Sequence, residues 1–438
     1  MHVIVQLRST SRLRRAATEA SMGSFVPAPL RLPLVQIDRS YPAVPVPAML
    51  GRGEGSIVGI EQPGTFSFSP DDATYLVRGE MDPADHAELA AHGDVAGVFA
   101  DPVVEPSAVI CPPGPVGTAA DVAGKLSVAT LAKAGCEGKG VRLAIVDTGI
   151  NLAHLRGLGR KPRISRPDSF TPAGVTSVPG AHPVDHGTMC AFDAGISAPA
   201  ATLLDHAVLL STAGGPTTMS GLLSDAVLSY NALLQQQRKG TKRKSLVVSN
   251  SWGMFAPSWD FPPGHPGNYS DNPNHPFNVI VASLEAAGAD ILFAAGNCGR
   301  ECPDGRCQFG SSRPISGANS HPKVLSIAGV DVMNRRLGYS SQGPGRLTVQ
   351  KPDLCGYTHF AGSGVYPEDG GTSAACPVVA GVVAAVRTRY PVTKVTPAQL
   401  RTLMQKTATD LGGFGYDDDF GWGVVNVTAL LDALASAP

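Results

Sequence analysis

The nine residues VRLAIVDTG (141–149) begin as a run of apolar side chains and end in Asp-Thr-Gly. A short run that stays apolar without alternating marks a strand covered on both faces, the situation inside a parallel sheet. Four further stretches have the same character: ATLLDHAVLL (201–210), SLVVSNSWG (245–253), ADILFAAGN (289–297) and KVLSIAGVD (323–331). Helical patterns lie among and after them, at 187–196, 217–238, 277–288, 372–389 and 397–408. This alternation predicts an α/β fold, a doubly wound and mostly parallel sheet flanked by helices. Ligands of such sheets bind beyond the carboxyl ends of the strands, so chemistry is expected just after each strand.

Outward from this block, the N-terminal part has a different texture. A strand over 2–7 is followed by a basic helix, then by a Pro/Gly-rich connector over 24–65. TYLVRGE (74–80) has a strand pattern, and DPADHAELAAH (82–92) is a helix with an Asp cap. GVFADPVVEPS (97–107) is a strand that runs out into loop. These make a smaller α+β region over 1–117, and the pattern changes around CPPGPVG (111–117), which leaves 118–438 as the larger domain.

The composition bounds the function. The chain has 438 residues, 43% of them hydrophobic, enough for a core and, at this length, for two domains. Against 36 Asp+Glu stand 35 Lys+Arg, a net charge of -1, without the basic excess that nucleic acid or an anionic membrane surface requires. The most apolar stretch, Val279 to Gly296, is interrupted by Glu285 and Asp290 and falls short of a membrane span. The first residues, MHVIVQLRSTSRLRR, place the apolar run before the arginines, the reverse of a secretory signal. A cytoplasmic or non-classically exported protein is therefore expected.

Four strand-end and helix-start positions carry reactive groups. Asp147 closes the first strand, and His186 opens a helix in Asp185-His186-Gly187-Thr188. Ser373 lies in Gly370-Gly371-Thr372-Ser373-Ala374-Ala375-Cys376-Pro377, where glycines allow close backbone approach and a helix N-terminus favours developing negative charge. Asn297 follows ILFAAG and can donate an amide hydrogen bond into the crevice. Singly, each suits a turn or a cap. Together they supply a carboxylate, a base, a nucleophile and an oxyanion donor, in the chain order Asp, His, Ser that subtilisin has.

The segments DTG, HGT, SNSWG, AAGN and GTSAACP, in this order and spacing, resemble those of the subtilisin-like serine endopeptidases, the subtilases. The resemblance spans roughly 120–430 and includes Ser340-Ser341-Gln342-Gly343, KPDL (351–354) and GWGVVNVTALL (421–431). It implies Ser373 as nucleophile, His186 as general acid and base, Asp147 as its orienting carboxylate, and Asn297 with the Ser373 N–H as oxyanion hole. It further implies that Ser251, Trp252, Gly253 and Gly296 bind an extended peptide substrate, with the Trp252 ring either projecting toward the subsites, where it favours apolar or aromatic side chains, or packing in the core. The N-terminal region resembles an inhibitory propeptide, with autocleavage expected between about residues 105 and 120.

Departures from the family pattern concern cysteine and acid. Cys190 stands one helical turn after His186, as in the subtilases related to proteinase K, and Cys376 replaces a common Ser. Buried inert thiols are expected, with mercurial sensitivity through Cys190 as the sharper reading. Cys298, Cys302 and Cys307 in NCGRECPDGRC suggest a loop-fixing disulfide if the protein is exported and free thiols if it is not, since the ligand set for zinc is incomplete. Asp417-Asp418-Asp419 fits a solvated turn better than a calcium loop. No cofactor is required, and calcium stays unassigned.

Overall fold

The computed structural model describes the chain apart from residues 22–31, 51–64, 70–71, 107–110, 112, 214–218, 240–244, 309–312 and 437–438. Much of the 24–65 connector therefore lies outside the described residues.

Among the described residues the centre is a seven-stranded sheet whose neighbouring strands all pair parallel. Its strands are β7 (Arg142–Val146), β8 (Arg163–Ile164), β9 (Thr202–His206), β11 (Leu246–Asn250), β13 (Ala289–Ala294), β14 (Leu325–Val330) and β15 (Leu354–Tyr357), in spatial order β8-β9-β7-β11-β13-β14-β15. Side chains alternate between two apolar layers, as a pleated strand requires. Leu143, Ile145, Val247, Leu292 and Ala294 face one layer, while Ala144, Val146, Val248, Ile291 and Phe293 face the other. Helices α3 (His186–Ala194) and α6 (Gly371–Arg387) cover the first face, and α4 (Leu223–Lys239) and α5 (Pro276–Ala286) cover the second. Both faces are dry, which is why these strands carry unbroken apolar runs. Helices α7 (Pro397–Thr407) and α8 (Val427–Ser436) close the chain. The expected α/β architecture is the one observed. The five expected strands are present, and two more, β8 and β15, are too short to leave a sequence pattern, at two and four residues.

The N-terminal unit is built on β1 (His2–Leu7), β2 (Gln36–Ile37), β3 (Val44–Val46), β4 (Thr74–Glu80) and β5 (Val95–Ala100), all paired antiparallel. Residues 36–37 and 44–46 fall in the stretch expected to be a connector, and the structure corrects this: Val44 and Val46 are buried and pair with β4. The alternation recurs. Val3, Val5, Tyr75, Val77 and Val98 point to the unit's own core beneath α1 (Ser11–Ser21) and α2 (His86–Ala90), with Leu13 and Leu89. Ile4, Leu76 and Phe99 point the other way and join the layer that holds Val227, Tyr230 and Phe277 of α4 and α5. The sheet is thus buried on one side by its own helices and on the other by the larger domain.

Polar groups fix this docking. Arg78 donates to Asp38 (2.7 Å) and to Asp225 (3.2 Å) at the start of α4, while the Ser224 N–H donates to Asp101 Oδ1 at 2.7 Å. His275 contacts the Ala100 carbonyl through Nε2 at 2.9 Å, and Nδ1 accepts the Phe277 N–H. Phe261 of the larger domain inserts into the N-terminal unit's core.

Candidate active site

The carboxyl ends of β7, β11 and β13 and the N-termini of α3 and α6 converge on one point. Asp147 follows β7 directly and is fully buried. Its Oδ1 accepts the Thr148 N–H at 2.7 Å and contacts His186 Nδ1 at 2.8 Å. A carboxylate only accepts, so Nδ1 carries the proton and Nε2 presents its lone pair.

His186 is the first residue of α3, with Asp185 as its N-cap: Asp185 Oδ1 accepts the His186 N–H (2.8 Å) and the Tyr366 hydroxyl (2.6 Å). The helix can approach Asp147 this closely because the next residue is Gly187. A Cβ there would stand 2.5 Å from the Gly149 carbonyl oxygen. The Gly187 N–H donates to Thr148 Oγ1 at 2.8 Å, which ties the helix start to the strand end.

Ser373 sits in the first turn of α6 and is fully buried. Its Oγ donates to the Ser251 carbonyl at 3.1 Å, and Ser251 Oγ donates back to the Ser373 carbonyl at 2.9 Å. This reciprocal pair fastens α6 to the end of β11. The Ser373 hydroxyl is therefore held by Ser251 in this structure, and His186 Nε2 is a buried atom without a hydrogen-bond partner.

Asn297 follows Gly296, whose φ of +98° turns the chain sharply after β13. Asn297 Oδ1 accepts both the N–H and the Oγ1–H of Thr372, each at 2.9 Å, and Thr372 Oγ1 accepts the Gly296 N–H at 3.0 Å. With its oxygen pinned, the amide is fixed in orientation, and Nδ2 is buried without a partner. Two orphaned polar atoms, one a base and one a donor, thus sit at one site beside a hydroxyl. That arrangement can accept a proton, attack a carbonyl and hold an oxyanion.

Cys190 lies beneath the histidine, with Sγ 3.6 Å from Asp147 Oδ2, 3.8 Å from His186 Nδ1 and 3.6 Å from the Ser373 carbonyl. Burial pushes its thiol well above the usual range and pushes Cys376 up to about 12, so both remain protonated. The ligand atoms of Asp147, His186 and Cys190 lie within 4.8 Å of one another, the one group among the described residues able to hold a metal. In the Asp417–Asp419 segment, Asp417 accepts the backbone N–H groups of Gly413, Asp419 and Phe420, as a turn does.

Beside this point runs a second, antiparallel sheet of three strands: β10 (Gly221–Leu222), β6 (Val103–Pro106) and β12 (Trp252–Gly253). The N-terminal tail β6 lies in the middle, with Val104 opposite Gly221, Glu105 opposite Gly253 and Pro106 opposite Trp252. Residues expected to run out into loop therefore form a strand. Of the two readings of the Trp252 ring, the one that projects it toward the subsites is corrected too. The indole is 1% exposed, donates to the Val146 carbonyl at 3.0 Å and packs against Phe277 and Phe293. Only its backbone faces the strand beside it. An apolar ring next to an exposed edge can face either side, and sequence alone does not choose.

The cysteine-rich segment after Asn297 is closed by a Cys298–Cys307 disulfide, and a second disulfide joins Cys302 to Cys111. Sequence reasoning missed the second pairing, because its partner is 191 positions away. It also missed Thr372, which was legible inside GTS, and Arg306, for which no local signal existed.

The sequence profile of the subtilase family matches residues 138–423. Subtilisin DY of Bacillus licheniformis is 27% identical over 299 residues, 67% of this chain and 92% of that protein. Subtilisin E of Bacillus subtilis (strain 168) is 27% identical over 299 residues, 67% of this chain and 66% of that protein. Fervidolysin of Fervidobacterium pennivorans is 27% identical over 323 residues, 67% of this chain and 41% of that protein.

Proposed function

This chain belongs to the subtilase family and is a serine endopeptidase, and from that premise we propose that it cleaves peptide bonds through an acyl-enzyme on Ser373. The carrying observation is the pair of buried atoms without partners, His186 Nε2 and Asn297 Nδ2. Nε2 is free to accept the Ser373 proton, and Nδ2 is free to donate to an oxyanion.

In the proposed reaction the Ser373 hydroxyl leaves the Ser251 carbonyl and gives its proton to His186 Nε2 as Oγ attacks the substrate carbonyl carbon. The carbonyl electron pair moves to oxygen, which takes hydrogen bonds from Asn297 Nδ2 and the Ser373 N–H. Asp147 holds the imidazole and stabilises its cationic form. Collapse expels the amine, which takes the proton from Nε2, and water repeats the sequence to release the acid. Protein groups alone carry these steps, and calcium keeps no assigned site.

An extended substrate would occupy the place of β6, adding a strand between β10 and β12. Ser251, Gly253 and the backbone of Trp252 would line it, and Gly296 would set the turn into the oxyanion donor. With the indole in the core, the Trp252 ring lends an aromatic preference no support. The fully buried Val104 supports an apolar pocket at its position. Residues 1–117 would act as an intramolecular inhibitor whose tail fills this groove, released by cleavage between about residues 105 and 120. The two disulfides fit work in an oxidising compartment. Among the described residues no helix is long and apolar enough to cross a membrane.

The test is hydrolysis of unfolded protein by the wild type beside Ser373→Ala, with both N-termini sequenced. Cleavage by the wild type alone, with a new N-terminus between about 105 and 120, is the expected result. Equal hydrolysis by both refutes the nucleophile, and an active wild type with an intact N-terminus refutes maturation. Gels run with and without reductant locate the cut: one after Cys111 leaves the pieces joined until the disulfide is reduced.

A further inference from the structure

The disulfide-closed loop that follows Asn297 reaches across to the groove. Arg306 spends one edge of its guanidinium on its own loop: Nε donates to Asp304 Oδ1 at 3.0 Å and Nη2 to Asp304 Oδ2 at 2.8 Å. The other edge points at β6. Nη1 donates to Glu105 Oε2 at 2.8 Å, and Nη2 donates to the Pro106 carbonyl at 2.7 Å. The guanidinium lies over the Phe255 ring, 4.3 Å from its centroid, so its plane is held from a third direction. Asp304 is itself buried, its N–H bonded to the Asn297 carbonyl at 2.8 Å. The positive group is thus carried on the same turn as the candidate oxyanion donor.

We infer that Arg306 is a specificity residue, selecting peptide substrates with an acidic side chain where Glu105 lies. The inference deepens the proposed peptidase reading and rests on it. Ser251 holds the Ser373 hydroxyl, so the residue opposite Ser251 is the one whose carbonyl is attacked. Counting back through Trp252 to Gly253 puts the acidic residue third before the scissile bond. The two contacts divide the work. The Pro106 carbonyl contact is available to any peptide, because it uses backbone. The Glu105 contact is a charge-assisted hydrogen bond to a side chain, and it alone discriminates. Asp304 neutralises part of the charge and fixes the fork, so Gln keeps the bond without its charge, Ala loses it, and a lysine meets a like charge. The guanidinium side chain is 35% exposed and Glu105 15%. Solvent weakens the pair accordingly, and about tenfold discrimination is expected.

The measurement uses enzyme prepared from the full chain and peptides carrying Val-Val-X-Pro-Ser ahead of the scissile bond, the order of residues 103–107, with X as Glu, Gln, Ala or Lys. The wild type is expected to show kcat/KM about tenfold higher for Glu than for Lys, mainly through KM, with Gln and Ala between. In Arg306→Glu the order of Glu and Lys inverts, and in Arg306→Lys its sign is kept. Each preference is a ratio within one enzyme, so a general loss of activity cancels. The wild-type series decides by itself if Arg306→Glu fails to fold. A ratio near one in the wild type, or the same ratio in Arg306→Glu, overturns the assignment. Ser373→Ala run alongside separates the two levels: hydrolysis that persists in it overturns the reading of Ser373, whereas Ser373-dependent hydrolysis blind to X overturns Arg306 alone.

Discussion

Two sheets meet at the cleft, and they are built on opposite plans. The parallel sheet places Asp147, Ser251 and Asn297 beyond neighbouring strands whose every residue is buried or nearly so. The antiparallel sheet is assembled from short pieces near residues 104, 221 and 253, and its contacts with Arg306 are partly open to water. Atoms that must hold sub-ångström geometry stand where packing leaves no alternative. Groups that choose among substrates stand on a rim that can vary without disturbing the core. The proposed division between chemistry inside and selection outside can be broken at several points.

The largest effect belongs to the interior. Ser373→Ala should cost on the order of 10⁶ in kcat, the size known for the nucleophile of a subtilisin; a loss of only a few-fold would move the chemistry elsewhere. Asn297→Ala should cost roughly 10²–10³ in kcat at nearly constant KM, the range known for such a donor in a subtilisin. A change confined to KM would make Asn297 a binding residue.

Trp252 tests the boundary between the two sheets. Trp252→Ala should destabilise the fold by about 3–5 kcal/mol in denaturant unfolding, because it empties a site packed by Phe277 and Phe293. Unchanged stability with altered substrate choice would return the ring to the groove. Cys190 gives a subtler probe: an organomercurial on Sγ would crowd Asp147 and His186. Inactivation of the wild type and sparing of Cys190→Ser is expected, and full inhibition of both would exclude this thiol.

The smallest effect concerns the docking of the N-terminal unit. Burial pushes His275 from 6.5 down to about 4. Between those values the unfolded chain binds the proton and the folded one does not, so the unfolded state holds more protons. The His275 contribution is therefore complete above about pH 6.5 and is lost as the pH falls toward about 4. Melting temperatures across that window should fall less steeply in His275→Gln, and an identical slope would clear His275 of the role.

How much of this was legible depended on distance along the chain. The parallel strands announced themselves, since a segment covered on both faces has no polar positions to interrupt it. Asp147, His186, Ser373 and Asn297 were legible because each lies within a few residues of a strand end or helix start whose local pattern is strong. The tail strand over Val103–Pro106 was not, because a four-residue strand takes its pairing from partners more than a hundred positions away. The Cys111–Cys302 link and the Arg306 clasp are invisible for the same reason: neither end carries a pattern that depends on the other.

Labelling with a fluorophosphonate, with the adduct mapped by peptide mass, decides whether the interior carries the chemistry on Ser373. One adduct is expected, on Ser373, absent in Ser373→Ala and formed far more slowly in His186→Ala. An adduct on another residue, or undiminished labelling of Ser373→Ala, would contradict it.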